Sequence, residues 1–184
     1  PVGAMRLHYG DKYDDLTYND ILVRACANAG ILAFTGDGTD PKVVEGAAEA
    51  LKANGGCGVP TIKPWDMDTI REKFALVQES EPFAIAMDID AAGLPFLQGL
   101  TPPAGSESVE ELKQIVSWAQ RPFILKGIMT ARGAEKALEA GASGIVVSNH
   151  GGRVLDHCPA TAEVLPDIVD AVGGKMTIFV DGAI

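Results

Sequence analysis

Residues 123–150 read FILKGIMTARGAEKALEAGASGIVVSNH. The apolar runs at 123–125 and 144–147 predict two strands, and the residues at 131–140 between them predict a helix. Continuous apolar runs are typical of parallel strands that are buried on both faces. Two such strands joined by a helix, within a repeat of about 25–30 residues, form one βα unit. This stretch therefore predicts an α/β fold with parallel strands.

The same alternation extends over the rest of the chain. Ser108 and Glu111 have the spacing of a capping box, which predicts that a helix starts at Ser108. Pro166 favours a break or a restart within the last helix. Seven strands and six helices in alternation fit either an open doubly wound sheet or a (β/α)8 barrel, which typically needs about 250 residues. The remaining helices are predicted at 15–28, 41–53, 67–79 and 161–172, the remaining strands at 1–5, 31–34, 59–62, 83–89 and 176–180, and a loop at 91–107.

The composition limits the partners of the protein. The 15 basic and 25 acidic residues give a net charge of −10, which repels nucleic acid and anionic membrane surfaces. The three cysteines, Cys26, Cys57 and Cys158, are not arranged in pairs, which argues against a disulfide framework and against a zinc site. No apolar run approaches the roughly 18 residues of a membrane span. We therefore expect a cytoplasmic protein that binds no nucleic acid and no metal and does not span a membrane.

Several polar residues stand at the ends of predicted strands. Asp88 and Asp90 end one strand, Lys126 follows the next, and the segment 148–150 and Asp181 follow the last two. In a barrel these strand ends converge on one face, where active sites lie. A single lysine or histidine is usually a surface residue. The recurrence of polar residues at the same place in successive repeats nevertheless predicts one shared site.

Three segments make the sequence similar to a known family. They are Lys126-Gly127, then SNHGGRVLD at 148–156, and Phe179-Val180-Asp181-Gly182. They resemble the FMN-dependent 2-hydroxy-acid dehydrogenase family, which includes glycolate oxidase, lactate oxidase and flavin-linked lactate dehydrogenase. The resemblance implies a single FMN-binding TIM (β/α)8-barrel domain over residues 1–184. That domain is expected to be truncated at both ends, with about strands 1–7 present and the eighth absent.

The resemblance also implies the chemistry, which is oxidation of a small L-2-hydroxy acid such as lactate or glycolate to the 2-oxo acid, with FMN as cofactor. His150 is implied as the general base, Asp90 as its carboxylate partner, and Lys126 as the cation beside flavin N1 and O2. Arg153 is implied to bind the substrate carboxylate, and Trp65 stands in the place of a substrate-contacting tyrosine. A homo-oligomer is expected for the full-length protein.

The cofactor contacts that the resemblance implies are spread along the whole chain. Two of them depart from the family pattern, since Lys63 stands where the family usually has glutamine and Asp88 where it usually has threonine. Asp181 and Gly182 match the start of the segment that binds the ribityl phosphate. The implied contacts are Val2, Gly3, Ala4, Thr35, Lys63, Asp88, Lys126, Ser148, Asp181, Gly182 and Ala183.

Two other interpretations stay open at this point, namely another FMN barrel such as a reduced-flavin isomerase, and a non-catalytic barrel. Arg153, three residues after His150, favours a carboxylate substrate over the isomerase. A dinucleotide-binding site is rejected, because the turn Gly36-Asp37-Gly38 has Pro41 at the third glycine position.

Overall fold

The computed structural model of the protein describes residues 2–3, 5–97, 99–101 and 104–182. Helices and strands alternate along most of this part of the chain. The helices are α1 Met5–Tyr9, α2 Thr17–Ala29, α3 Pro41–Ala53, α4 Met67–Gln78, α5 Val109–Trp118, α6 Ala131–Ala140 and α7 Thr161–Val172. The strands are β1 Ala33–Thr35, β2 Gly58–Ile62, β3 Ile85–Asp88, β4 Phe123–Ile128, β5 Gly144–Val147 and β6 Thr177–Val180. Short 3-10 helices cover Gly10–Lys12, Ile89–Gly93, Pro95–Leu97 and His150–Gly152.

The helices α3 and α6 have the predicted bounds because local signals fix their ends. The side chain of Asp40 accepts a hydrogen bond from the backbone N–H of Lys42 at 2.9 Å, ahead of a helix whose first residue is proline. The hydroxyl of Thr130 accepts one from the backbone N–H of Gly133 at 3.0 Å. Helix α6 then ends at Gly141, whose φ of 88° is in the left-handed region.

The strand predicted at residues 1–5 is wrong. Val2 and Gly3 have no regular structure, and Met5 begins α1. The segment instead passes close to the turn after β1, where a Cβ atom added to Gly36 would collide with the backbone of Val2 and Gly3. A short apolar run does not by itself distinguish a strand from another kind of buried segment.

The loop predicted at residues 91–107 is wrong in its first part, which contains the end of one 3-10 helix and the whole of the next. The physical reason is a run of buried apolar side chains at a spacing of three residues. In a 3-10 helix, side chains three positions apart lie on the same face, so this spacing buries all of them together. The buried residues are Ala91, Leu94 and Leu97.

The expected break at Pro166 is also wrong, because α7 continues through it. Pro166 lies in the second turn, so the proline removes only the one hydrogen bond that its N–H would donate to Ala162. The first turn is stabilised independently, since the carboxylate of Glu163 accepts from the backbone N–H of Ala160 at 2.9 Å. Further along α7, the fully buried side chain of Ile168 stabilises the helix.

The chain packs as two compact units, of which the first comprises Pro1–Ile62 and Arg71–Ala86. In this unit β1 runs parallel to β2, with Ala33 paired to Gly58. Helices α2 and α3 pack against each other, and α2 also contacts β1. The core at this place is formed by Val23, Ala33, Ala50 and Leu51.

The second unit comprises Lys63–Ile70 and Met87–Ile184. In it β4 runs parallel to β5 and β5 parallel to β6, so that Ile145 pairs with Leu125 on one side and with Ile178 on the other. Helix α6 packs against both α5 and α7. Parallel pairing with a helix between successive strands confirms the α/β class, with six strands in the described residues where seven were predicted.

No helix in the described ranges has both the length and the apolar character that a membrane span requires.

Candidate active site

The second unit places polar side chains at the carboxyl ends of its strands. Asp88 ends β3, Lys126 lies in β4, Ser148 follows β5 and Asp181 follows β6. Because parallel strands present their carboxyl ends at the same edge, residues far apart in the chain meet there. Four residues expected from the sequence to contact the cofactor are thus brought together.

Lys126 lies at the centre of this group, with 5% of its side chain exposed. Its Nζ donates hydrogen bonds to Asp88 Oδ1 at 3.1 Å and to Ser148 Oγ at 3.0 Å. Asp181 Oδ2 lies 3.9 Å from the same nitrogen. A buried ammonium group is costly unless it is paired and hydrogen-bonded, and these three oxygens replace the water that it has lost.

His150 contacts two carboxylates through one ring nitrogen. Its Nδ1 lies 3.0 Å from Asp90 Oδ1 and 3.6 Å from Asp88 Oδ1. Its backbone N–H donates to the hydroxyl of Ser148 at 3.2 Å. The ring is only 13% exposed, so Asp90 fixes its orientation and leaves Nε2 as the ring nitrogen without a carboxylate.

The backbone at His150 is held in an unfavourable conformation. His150 has a φ of 57°, and Gly151 and Gly152 follow with φ of 67° and 73°. The left-handed region costs a residue with a Cβ atom roughly 1–2 kcal/mol, whereas glycine adopts it freely. The side-chain oxygen of Asn149 accepts from the backbone N–H of Gly151 at 3.1 Å and so stabilises the turn. Residues held in this way are concentrated at functional sites.

The two carboxylates beside His150 differ in acidity. Burial alone would raise the pKa of Asp88, but nearby positive charges, above all Lys126 and His150, and a side-chain hydrogen bond with Asp90 outweigh it, so this pKa lies below its usual value. Burial raises the pKa of Asp90 above its usual value, and the hydrogen bond from His150 offsets only part of this effect. Asp88 is therefore the more firmly ionised of the two.

The same residues include a set of potential metal ligands. Ligand atoms of Asp88, Asp90 and His150 all lie within 4.8 Å of one another. However, the ammonium group of Lys126 already lies against Asp88 Oδ1. A divalent cation would have to share that carboxylate with a buried positive charge, so the arrangement favours an internal ion pair over a metal.

Glycine is required at position 127, directly after the buried lysine. Gly127 has a φ of 100°, and an added Cβ atom would lie 2.5 Å from Asp90 Cγ. We expect Gly127→Ala to lower the free energy of unfolding by about 3 kcal/mol, from the left-handed backbone and the collision together. Urea denaturation measures the change.

Gly174→Ala is the matched control for this substitution. Gly174 has a φ of 74° but nothing within 4 Å of an added Cβ atom, so it carries the backbone cost alone. We expect a loss of about 1 kcal/mol there. Equal losses in the two variants would show that the contact with Asp90 is unimportant.

In the first unit, Thr35 lies at the end of β1 and is completely buried, and its hydroxyl oxygen has no hydrogen-bond partner among the described residues. A buried polar atom without a partner is costly and indicates a missing ligand or water. Val2 and Gly3 lie directly against the turn that follows this strand. Three residues expected from the sequence to contact the cofactor thus lie together within this unit.

Three other expected site residues lie in the second unit and differ in burial. Trp65 is buried and Lys63 is half-buried, both in the second unit. Arg153 is exposed, just beyond the 3-10 helix that begins at His150. Ala4 and Ala183 lie outside the described residues.

Two residues beside these sites had no role predicted from the sequence, although Asn149 lies in the segment 148–150 that was expected to contribute to the shared site. The buried hydroxyl of Thr61, at the end of β2, has no hydrogen-bond partner in the described part of the chain. Asn149 stabilises the turn at His150 and also lies against Gly182, where an added Cβ atom would be 2.5 Å from its Oδ1. A signal for both was present, since each is a polar residue at a strand end.

Comparison with known protein families finds a match to the part of the chain that carries most of the residues described for the second unit. The FMN-dependent dehydrogenase family matches residues 96–184, which contain Lys126, Ser148, His150 and Arg153. FMN is accordingly the cofactor that the match indicates, as the sequence predicted.

Curated relatives of the chain include 2-hydroxy-acid oxidases. A peroxisomal (S)-2-hydroxy-acid oxidase of Oryza sativa subsp. indica is 47% identical over 85 residues, which are 46% of this chain and 22% of the relative. The 2-hydroxyacid oxidase 1 of Homo sapiens is 46% identical over 79 residues, which are 43% of this chain and 21% of the relative. The chain thus matches only about a fifth of the length of these relatives.

Among solved structures, a variant of mandelate oxidase is similar over 100% of this chain and 56% of its own, with a TM-score of 0.79 and 25% identity. This likeness confirms the predicted fold class, an incomplete (β/α)8 barrel. The chain spans about half the length of mandelate oxidase.

The expected cytoplasmic location is wrong by the same comparison. The family relatives from Oryza sativa and a relative from Arabidopsis thaliana are peroxisomal (S)-2-hydroxy-acid oxidases. The expectation rested on negative charge and unpaired cysteines. These properties reflect solubility and redox conditions, whereas an organelle is specified by a short address that a receptor reads.

Proposed function

We propose that the protein to which this chain belongs binds FMN and oxidises a small L-2-hydroxy acid, similar to lactate or glycolate, to the 2-oxo acid. Residues 1–184 form a single FMN-binding domain in this proposal. The observation that carries it is the buried network in which Asp88 joins Lys126 to His150, with Asp90 on the same imidazole nitrogen. A cation and a base held together by carboxylates suit a reaction that moves both protons and negative charge.

His150 acts as the general base of the proposed reaction. Oxidation of a 2-hydroxy acid removes two electrons and two protons, and an imidazole titrates close enough to neutral pH to accept one of those protons. Since Nδ1 is occupied by Asp90, the substrate proton is taken by Nε2. The negative charge of Asp90 and Asp88 then stabilises the imidazolium ion that results.

Bound FMN supplies the acceptor for the two electrons. Lys126 offers a fixed positive charge where the negative charge of the reaction accumulates. The hydroxyl of Thr35 and the Oδ1 of Asp181 are buried without hydrogen-bond partners in the described residues, as expected of atoms that hydrogen-bond a ligand when it is bound. The residues proposed to hold FMN are Val2, Gly3, Ala4, Thr35, Lys63, Asp88, Lys126, Ser148, Asp181, Gly182 and Ala183.

Arg153 binds the substrate carboxylate in this proposal. Its guanidinium group is exposed and lies three residues after the base, and a guanidinium binds a carboxylate through two parallel hydrogen bonds. Trp65 is buried in the same unit and offers an indole N–H where the resemblance places a tyrosine hydroxyl. This difference bears on which 2-hydroxy acid is preferred.

Anaerobic mixing of the FMN-loaded protein with lactate or glycolate tests the proposal. We expect the visible absorbance of the flavin to bleach, because the cofactor accepts two electrons from the substrate. The matched 2-hydroxy amides are of equal size but offer Arg153 no anion, and we expect them to leave the absorbance unchanged. Retention of the flavin colour with every 2-hydroxy acid tested contradicts the proposal and favours the isomerase or the non-catalytic interpretation.

A further inference from the structure

A single oxygen atom of Asp88 lies close to both Lys126 and His150. Its Oδ1 lies 3.1 Å from Nζ of Lys126 and 3.6 Å from Nδ1 of His150. The side chain of Asp88 is only 5% exposed, so solvent and salt screen these interactions weakly. The carboxylate is thus a bridge between the buried ammonium group and the imidazole.

Asp90 does not make this bridge redundant. Asp90 is closer to His150, whereas the Nζ of Lys126 donates its hydrogen bonds to Asp88 and Ser148. The pKa of Asp90 is raised by its burial and by the neighbouring carboxylate of Asp88, so its negative charge is the less secure of the two. Asp88 is kept ionised because neighbouring cations and a hydrogen bond with Asp90 outweigh its own burial.

We infer that Asp88 is a positioning residue that couples Lys126 to His150. It holds the ammonium group in place and favours the protonated form of the imidazole through its charge. Among the described residues of this unit, Asp90 lies 3.0 Å and Asp88 3.6 Å from Nδ1 of His150. Lys126 of β4 pairs with Asp88 and lies 3.9 Å from Asp181, and the charge of Lys63 acts on Asp88. The coupling is a property of the chain itself, and only its consequence for catalysis rests on the proposed function.

An NMR titration of the histidine rings tests the coupling without any cofactor. The chain has three histidines, and the variants His8→Ala and His157→Ala assign the signals of the other two by difference. We expect Asp88→Asn, which keeps the shape of the side chain but removes its charge, to move the protonation of His150 about one pH unit lower. Asp88→Glu restores the charge and should return the midpoint most of the way to wild type.

Asp170→Asn is the matched control, because Asp170 is an exposed carboxylate on α7 and its removal changes the net charge by the same amount. We expect no movement of the His150 midpoint there. In the wild-type protein, the carboxyl carbon signal of Asp88 should shift at the pH where His150 titrates. This last measurement needs no variant, so it decides the matter even if Asp88→Asn does not fold.

The FMN-loaded protein gives a second and separable result. Removing the negative charge beside Lys126 should move the reduction potential of bound FMN to a more positive value in Asp88→Asn and not in Asp170→Asn. A shifted titration of His150 together with no reduction by any 2-hydroxy acid supports the coupling and rejects the proposed function. An unmoved His150 midpoint in Asp88→Asn, or equal movements in Asp88→Asn and Asp170→Asn, overturns the inference.

Discussion

His150→Ala should slow the reduction of bound FMN by a 2-hydroxy acid about 10³-fold, within the range that a positioned general base contributes. The expected cause is the loss of Nε2 as proton acceptor, since Nδ1 is held by Asp90. Binding of FMN should change little, because Lys126 keeps its hydrogen bonds to Asp88 and Ser148. Single-turnover absorbance measures the rate, and a flavin titration of the unloaded protein measures the affinity.

His157→Ala is a close control for this substitution. His157 follows in the same segment and has a φ of 53°, against 57° for His150, so alanine meets the same backbone cost at both places. The ring of His157 is 95% exposed and lies beside the equally exposed Asp156. We expect wild-type reduction in this variant.

A second substitution separates the base from a structural role. His150→Asn can keep a hydrogen bond to Asp90, and asparagine tolerates the left-handed backbone, but its amide accepts no proton. We expect it to be as slow as His150→Ala. Reduction at the wild-type rate in either variant would rule out His150 as the base.

The elements that were predictable from the sequence are those whose signals are local. Helix α6 is bounded by Thr130 as a cap and Gly141 as a left-handed stop, and both can be recognised without knowing the fold. The convergence of strand-end residues was also predictable, because it follows from parallel pairing alone. The conformation of residues 2–3 was not predictable, because it depends on a close approach to Gly36 for which the sequence contains no local signal.

The part of the site that sequence reasoning missed is the part that depends on distances across strands. The bridge through Asp88 joins the end of β3 to β4 and to the residue that follows β5, so it exists only when three strands are placed side by side. From the sequence, Asp88 was predicted to end a strand and to contact the cofactor, but not to bridge Lys126 and His150. The positive φ of His150 was not predicted either, because few residues other than glycine adopt this conformation and no local signal marks the ones that do.

Lys126→Met should lower the free energy of unfolding by about 3–5 kcal/mol at neutral pH, the loss expected when one partner of a buried ion pair is removed. Methionine has a similar length but leaves the carboxylate of Asp88 with only 5% exposure and without its cation. Urea denaturation measures the loss. Lys136→Met is the control, since Lys136 is exposed on α6 and should change stability by less than about 0.5 kcal/mol.

The loss in Lys126→Met should depend on pH in a direction that identifies its cause. Burial would raise the pKa of Asp88, but its neighbours, above all the charge of Lys126, outweigh this effect. The pKa of Asp88 in the folded protein therefore lies below its ordinary value of 3.8. Such a group stabilises the fold above pH 3.8 and loses that contribution as the pH falls through its folded pKa. Without Lys126 this contribution is absent, so the gap between variant and wild type should be largest near neutrality and shrink below about pH 4.

The double variant Lys126→Met/Asp88→Asn completes the test. It removes both charges and keeps the shapes of both side chains, so most of the stability lost in Lys126→Met should return. A gap that persists unchanged at low pH, or a double variant no more stable than Lys126→Met, would mean that packing of the lysine stem and not the ion pair stabilises this site. The recovery expected here would not extend to FMN binding, because the proposed cofactor contact needs the ammonium group itself.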